Sequence, residues 1–104
     1  MHWIGNMKKY KISIIGGDGT GPEVVDETIK VLEHTKSKFN VEFDFVENDL
    51  GGDRYLKSGD LVTDFDIEQL GNSDSILLGA IGHPDVKPGI LEQGILLKLR
   101  KEFD

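Results

Sequence analysis

Cysteine is absent from this 104-residue sequence. That excludes a disulfide framework, a thiolate nucleophile and a cysteine-based zinc site, and it fits a cytoplasmic protein. No apolar run is long enough to span a bilayer. The first six residues hold no hydrophobic stretch of a secretion signal ahead of Lys8 and Lys9. Basic residues are in deficit, 12 against 19 acidic ones, for a net charge of -7 and a pI near 4.8. An excess of negative charge argues against a nucleic-acid partner and against adhesion to an anionic membrane. Proline is scarce: Pro22, Pro84 and Pro88 only punctuate loops and one helix start. Internal repeats and low-complexity segments are also missing.

What is present is an ordinary globular composition, 38% hydrophobic and 30% charged, on a chain long enough for one domain at most. Residues 1–6 read as an N-terminal extension, Met7 offers a second start, and 7–104 read as one unit. Lys11 to Ile15 is a short apolar run that ends in Gly16-Gly17, as a buried strand does. Pro22 then stands at a first helical position, where its missing N–H costs nothing. Acidic Glu23, Asp26 and Glu27 open that helix and Lys36 and Lys38 close it, matching the helix dipole. Val25, Ile29 and Leu32 form its buried stripe. Val41 to Val46 alternates as a second strand, Asp53 to Ser58 and Asp64 to Leu70 read as short helices, and Ser75 to Ile81 as a third, fully apolar strand. Strands separated by helices predict an α/β fold with a parallel sheet and flanking helices, in which ligands sit at the carboxyl ends of strands.

Several motifs fail. Gly16 to Gly21 lacks the Lys-Ser/Thr pair of a P-loop, and Pro22 stands where a dinucleotide fingerprint needs its third glycine. Four glycines still allow close backbone approach to a ligand, although Glu23 and Asp26 oppose a phosphate on the helix end. A plain strand-to-helix turn accounts for the loop equally well. Asp64, Asp66 and Glu68 alternate like calcium ligands but lack the glycine of an EF-hand loop, and read as a solvated helix start. His83 has no partner nearby in sequence and reads as a loop residue. No Ser-His or Cys-His pair stands out.

The stretch Glu92 to Arg100 reads as a helix. On it Leu96 and Leu97 lie beside Arg100, with Gln93 about a turn further back. A guanidinium next to two leucines suits a small carboxylate with an apolar tail. The same pattern also describes an amphipathic core helix with a surface arginine.

Taken together, four segments resemble the N-terminal part of the β-decarboxylating dehydrogenases, the isocitrate/isopropylmalate dehydrogenase family. They are Ile15 to Val24 (IGGDGTGPEV), Asp49 to Gly52 (DLGG), Ile76 to Pro84 (ILLGAIGHP) and Gly89 to Arg100 (GILEQGILLKLR). The resemblance implies NAD- and divalent-metal-dependent oxidation of a 2-hydroxy acid, followed by loss of a carboxylate as CO2. It implies that Arg100 binds a substrate carboxylate and that Leu96 and Leu97 meet an apolar substituent. That leucine pair favours 3-isopropylmalate, hence leucine biosynthesis, over the isocitrate, tartrate and D-malate of relatives, since a charge against leucines is costly. Thr20, Gly19 and Gly82 would contact the cofactor, as would either Glu92 or Gln93, depending on how one counts back from Arg100. No catalytic residue and no metal ligand is expected in this stretch: lysine, tyrosine and the aspartates for Mg2+ or Mn2+ would come from elsewhere in a longer, usually homodimeric, cytoplasmic enzyme. The 104 residues alone are expected to be inactive, with a sheet edge and an apolar helix face uncovered. The rival expectation is a non-catalytic binding module that pairs with another chain.

Overall fold

A computed structural model describes residues 8–103; residues 1–6 and Met7 lie outside that range. Three strands form one parallel sheet: β1 (Lys8–Gly17), β2 (Val41–Asn48) and β3 (Ser75–Ala80). Their order is β2-β1-β3. The chain steps from β1 through helix α1 (Gly21–Phe39) to β2. It then returns past β1 through α2 (Gly52–Ser58) and α3 (Asp64–Gly71) to β3 on the other side. Crossovers of one hand that run in opposite directions put their helices on opposite faces of the sheet.

The two apolar clusters follow that rule. Side chains alternate along a strand, so Ile12 and Ile14 of β1 point to one face. There they pack with Val25, Ile29 and Leu32 of α1 and with Phe43, Phe45 and Leu77. Ile15 points to the other face, into a cluster with Leu50, Leu70, Val86, Leu91, Ile95 and Leu99. Because both faces of β1 are covered, Ile12, Ser13, Ile14 and Ile15 are buried in succession, and that run is apolar but for Ser13.

The stripe expected on α1 is therefore the one that meets the sheet. The three strands and the two short helices fall where the sequence places them, with no end moved by more than three residues. α1 closes on Asn40 in the left-handed conformation (φ 53°), whose N–H donates to the Lys36 carbonyl. α3 opens with a reciprocal cap. The Thr63 hydroxyl accepts the Asp66 N–H (3.2 Å) and the Asp66 carboxylate accepts the Thr63 N–H (2.8 Å).

The last helical stretch departs from expectation. It is not uniformly α-helical: Glu92–Leu97 is a π-helical segment that continues into α4 (Lys98–Phe103).

Candidate functional site

At the carboxyl end of the sheet three loops are tied together by one carboxylate, that of Asp18, which is 6% exposed. It accepts the Gly52 N–H on both oxygens (2.9 and 3.0 Å) and the Gly82 N–H on Oδ2 (3.0 Å). Its own N–H donates to the Ala80 carbonyl at 2.6 Å. The turn that brings it there depends on Gly17, whose φ is 79° and whose added Cβ would lie 1.9 Å from the Ala80 oxygen. A buried charge needs such partners. Asp18 thus holds the loops after β1, β2 and β3 in one arrangement. Sequence reasoning saw only glycines in this loop. The readable signal was an acidic residue flanked by glycines just after a buried strand.

The exposed elements of the expected cofactor side stand on this hub. Gly19 and Thr20 are exposed, and so is Gly82. A Cβ added to Gly19 or Gly82 would meet nothing within 4 Å, so both backbones look outward. Asp18 thereby brings the Gly19–Thr20 turn and Gly82 to the same edge.

His83 is not a lone loop residue. Its Nε2 lies 3.0 Å from Asp53 Oδ1, and its Nδ1 accepts the Asp85 N–H (3.1 Å). That acceptance leaves the ring proton on Nε2, pointing at Asp53. The partner stands thirty positions away in sequence, so no local pattern could reveal it.

Asp66 corrects a second expectation. The helix start was read as solvated, yet Asp66 is 7% exposed. Arg54 grips it with two N–H groups and also reaches Asp49 (3.1 Å). Burial pushes the Asp66 carboxyl up, but the Arg54 hydrogen bond and the two Thr63 bonds outweigh it and hold the group below its ordinary value. The same hydrogen bond, donated to Asp66, raises the Arg54 guanidinium against the opposing effect of burial. These residues line a cleft of about 1050 Å³ with Asp18, Asp26 and Asp60. Its walls carry more acids than bases, which disfavours an anion.

The expected substrate residues lie on the terminal helix. Leu91, Ile95 and Leu99 bury themselves in the core at 1%, 0% and 8% exposure. Glu92, Gln93 and Arg100 are exposed, Leu96 is half-buried, and Leu97 is 53% exposed. The Gly89 N–H donates to the Glu92 carboxylate (3.1 Å), and the Gln93 N–H to the Gly89 carbonyl (3.0 Å). Leu96, Leu97 and Arg100 share one short stretch of helix, of which the α4 part lies beside α3. A carboxylate on the guanidinium could rest its hydrocarbon on the leucines.

Comparison with known proteins bears on these same segments. A family model described as isocitrate/isopropylmalate dehydrogenase matches residues 11–104. The 3-isopropylmalate dehydrogenase of Corynebacterium efficiens is 50% identical over 95 residues, which cover 90% of this chain and 27% of that protein. The Mycobacterium avium protein of the same name is 49% identical over 94 residues, 90% of this chain and 27% of its own length. A crystal structure of a β-decarboxylating dehydrogenase from Thermococcus kodakarensis, in its apo form, superposes with a TM-score of 0.65 at 34% identity. It covers 89% of this chain and 26% of that one. The chain thus spans about a quarter of the length of the relatives it matches.

Proposed function

Because the chain belongs to the isocitrate/isopropylmalate dehydrogenase family, we propose that it forms one wall of the active site of an NAD-dependent oxidative decarboxylase of 3-isopropylmalate. The supporting observation is the solvent side of the terminal helix. The exposed Leu97 and the half-buried Leu96 stand within one turn of the exposed Arg100, while three other apolar residues of the same helix are sunk in the core.

In this reading the Arg100 guanidinium takes a malate carboxylate through two parallel N–H donors and fixes its orientation. Leu96 and Leu97 receive the isopropyl group, and a methyl-sized change in such a pocket shifts preference by about 1–3 kcal/mol. A carboxymethyl group in the same place would bring an unpaired charge against apolar walls. The outward backbones of Gly19, Thr20 and Gly82 offer the cofactor-facing edge, held in place by Asp18. Bound NAD supplies the hydride acceptor that turns the substrate hydroxyl into a ketone before CO2 leaves. Among the described residues no group of three or more His, Asp or Glu side chains could hold a metal ion. In this proposal Mg2+ or Mn2+ takes its ligands from a longer enzyme and polarises the substrate oxygen when bound. Among those residues too, no helix is long and apolar enough to cross a membrane. Work in the cytoplasm and a homodimeric whole enzyme belong to the same proposal.

Calorimetric titration of the chain with 3-isopropylmalate tests it. Binding is expected to disappear in Arg100→Ala and to shift from isopropylmalate toward isocitrate in Leu97→Ser. Equal affinity of wild type and Arg100→Ala for isopropylmalate would remove Arg100 from the site.

A further inference from the structure

The loop after β3 is closed twice on the start of α2. Asp18 joins the Gly52 and Gly82 amides through the main chain. One residue further along each segment, the Asp53 and His83 side chains meet at 3.0 Å. The imidazole lies against the α2 backbone: a Cβ on Gly52 would fall 2.3 Å from His83 Cβ and 2.7 Å from its Cγ. A side chain at position 52 would push the ring away.

The two closures differ in chemistry. The Asp18 carboxylate is buried, whereas His83 is half-buried and the Asp53 side chain is 82% exposed. Histidine is the side chain that ordinarily changes charge between about pH 5 and 8. As a neutral ring, His83 donates from Nε2 to Asp53 and accepts the Asp85 N–H at Nδ1 (3.1 Å). A second proton turns Nδ1 into a donor, and two N–H groups then face each other across that contact. The stronger attraction of the charged ring for Asp53 does not offset this, since an exposed ion pair contributes little in water. Other charges nearby are already engaged or solvated. Arg54 is committed to Asp49 and Asp66, and Asp18 to the two glycine amides. Lys57 of α2 and Asp85 and Lys87 of the loop are exposed. The far end of the turn is fixed, because Val86 donates its N–H to the His83 carbonyl (3.1 Å) and is sunk in the core. The end that can move is the His83 ring, and Gly82 with it.

We propose that His83 is a proton-operated clasp. Neutral, it holds the loop after β3 on α2 and keeps Gly82 in place. Protonated, it gives up the Asp85 amide and the loop loosens. The role is one of positioning, exerted through the backbone of Gly82. That acid thereby weakens the cofactor-facing edge follows from the function proposed above and rests on it.

Amide and imidazole resonances of the isotope-labelled chain, followed from about pH 8 to about pH 5, test the clasp. The Asp85 and Gly82 amides are expected to shift along the same curve as the His83 ring carbons. His83→Asn can place an amide oxygen where Nδ1 stands and has no ring to titrate, so the Asp85 amide is expected to hold its position across the range. Asp53→Asn keeps an acceptor for Nε2 and is expected to retain the response, since release occurs at Nδ1. Wild-type amides that ignore the ring, or amides that move equally in His83→Asn, would overturn the clasp. A response lost in Asp53→Asn would trace it to the ion pair and overturn it as well. NAD+ titrated at the two ends of the range reads the consequence. Affinity is expected to fall about fivefold in acid for the wild-type chain, the effect of one neutral hydrogen bond, and less than about twofold for His83→Asn. Equal losses in both would overturn the positioning role. A chain that binds no NAD+ at either pH would sink the function proposed above, and the amide curves would still decide the clasp.

Discussion

Arg54 and Asp66 show what a single residue contributes. The Arg54 side chain is 15% exposed and that of Asp66 9%, so removing the guanidinium leaves a carboxylate with little water and half its partners. Arg54→Ala is expected to lower stability by about 3 kcal/mol, read as a shift in the urea midpoint. The pair also sets an acid limit. Asp66 is held below the ordinary value of an aspartate carboxyl in the folded chain. Its contribution is fully present above that value and is lost as pH falls through the lower, folded one. Urea unfolding from pH 6 downward is expected to show this loss setting in below about pH 4, and Asp66→Asn is expected to flatten that part of the curve. Asp18→Asn tests the loop hub. An amide presents one acceptor oxygen where three N–H···O contacts now fall on two. A loss of about 1–3 kcal/mol is expected, with chemical-shift changes concentrated at the Gly52 and Gly82 amides.

At the scale of elements, the decisive joint is the turn from β1 into α1. Gly17→Ala would combine a left-handed residue with a clash against the Ala80 carbonyl. The backbone of β3 would have to move, and a cost above about 3 kcal/mol is expected. Gly19→Ala, also at positive φ but with open space around it, is expected to cost only about 1–2 kcal/mol. Comparing thermal midpoints of the two variants separates packing from conformation. These elements were largely legible beforehand. The KISII run, Pro22 and the VEFDFV alternation each express a local rule. The π segment was not, because the i, i+4 spacing of Leu91, Ile95 and Leu99 is that of a plain α-helix.

The whole molecule presents an open sheet. β2 and β3 are its outer strands, and β3 has Leu78 39% exposed while α1 shows Val24 and Val31 at 59% and 62%. Apolar side chains beside a strand edge favour self-association. Sedimentation of the chain is expected to show association that rises with concentration, and Leu78→Lys is expected to reduce it. NADH absorbance with isopropylmalate, NAD+ and Mg2+ is expected to stay flat for the 104 residues alone, while the same chain binds substrate.

The sequence by itself determined the parallel α/β class, the element order and the segments that resemble the dehydrogenase family. Those follow from local periodicity, turn residues and motif spacing, which are properties of neighbours along the chain. Only tertiary structure decided that Asp18 ties three loops together, that His83 meets Asp53, and that Asp66 is buried under Arg54. Each of those depends on groups brought together from positions 12 to 64 residues apart. Burial and backbone close approach therefore settle these contacts, where sequence spacing leaves them open.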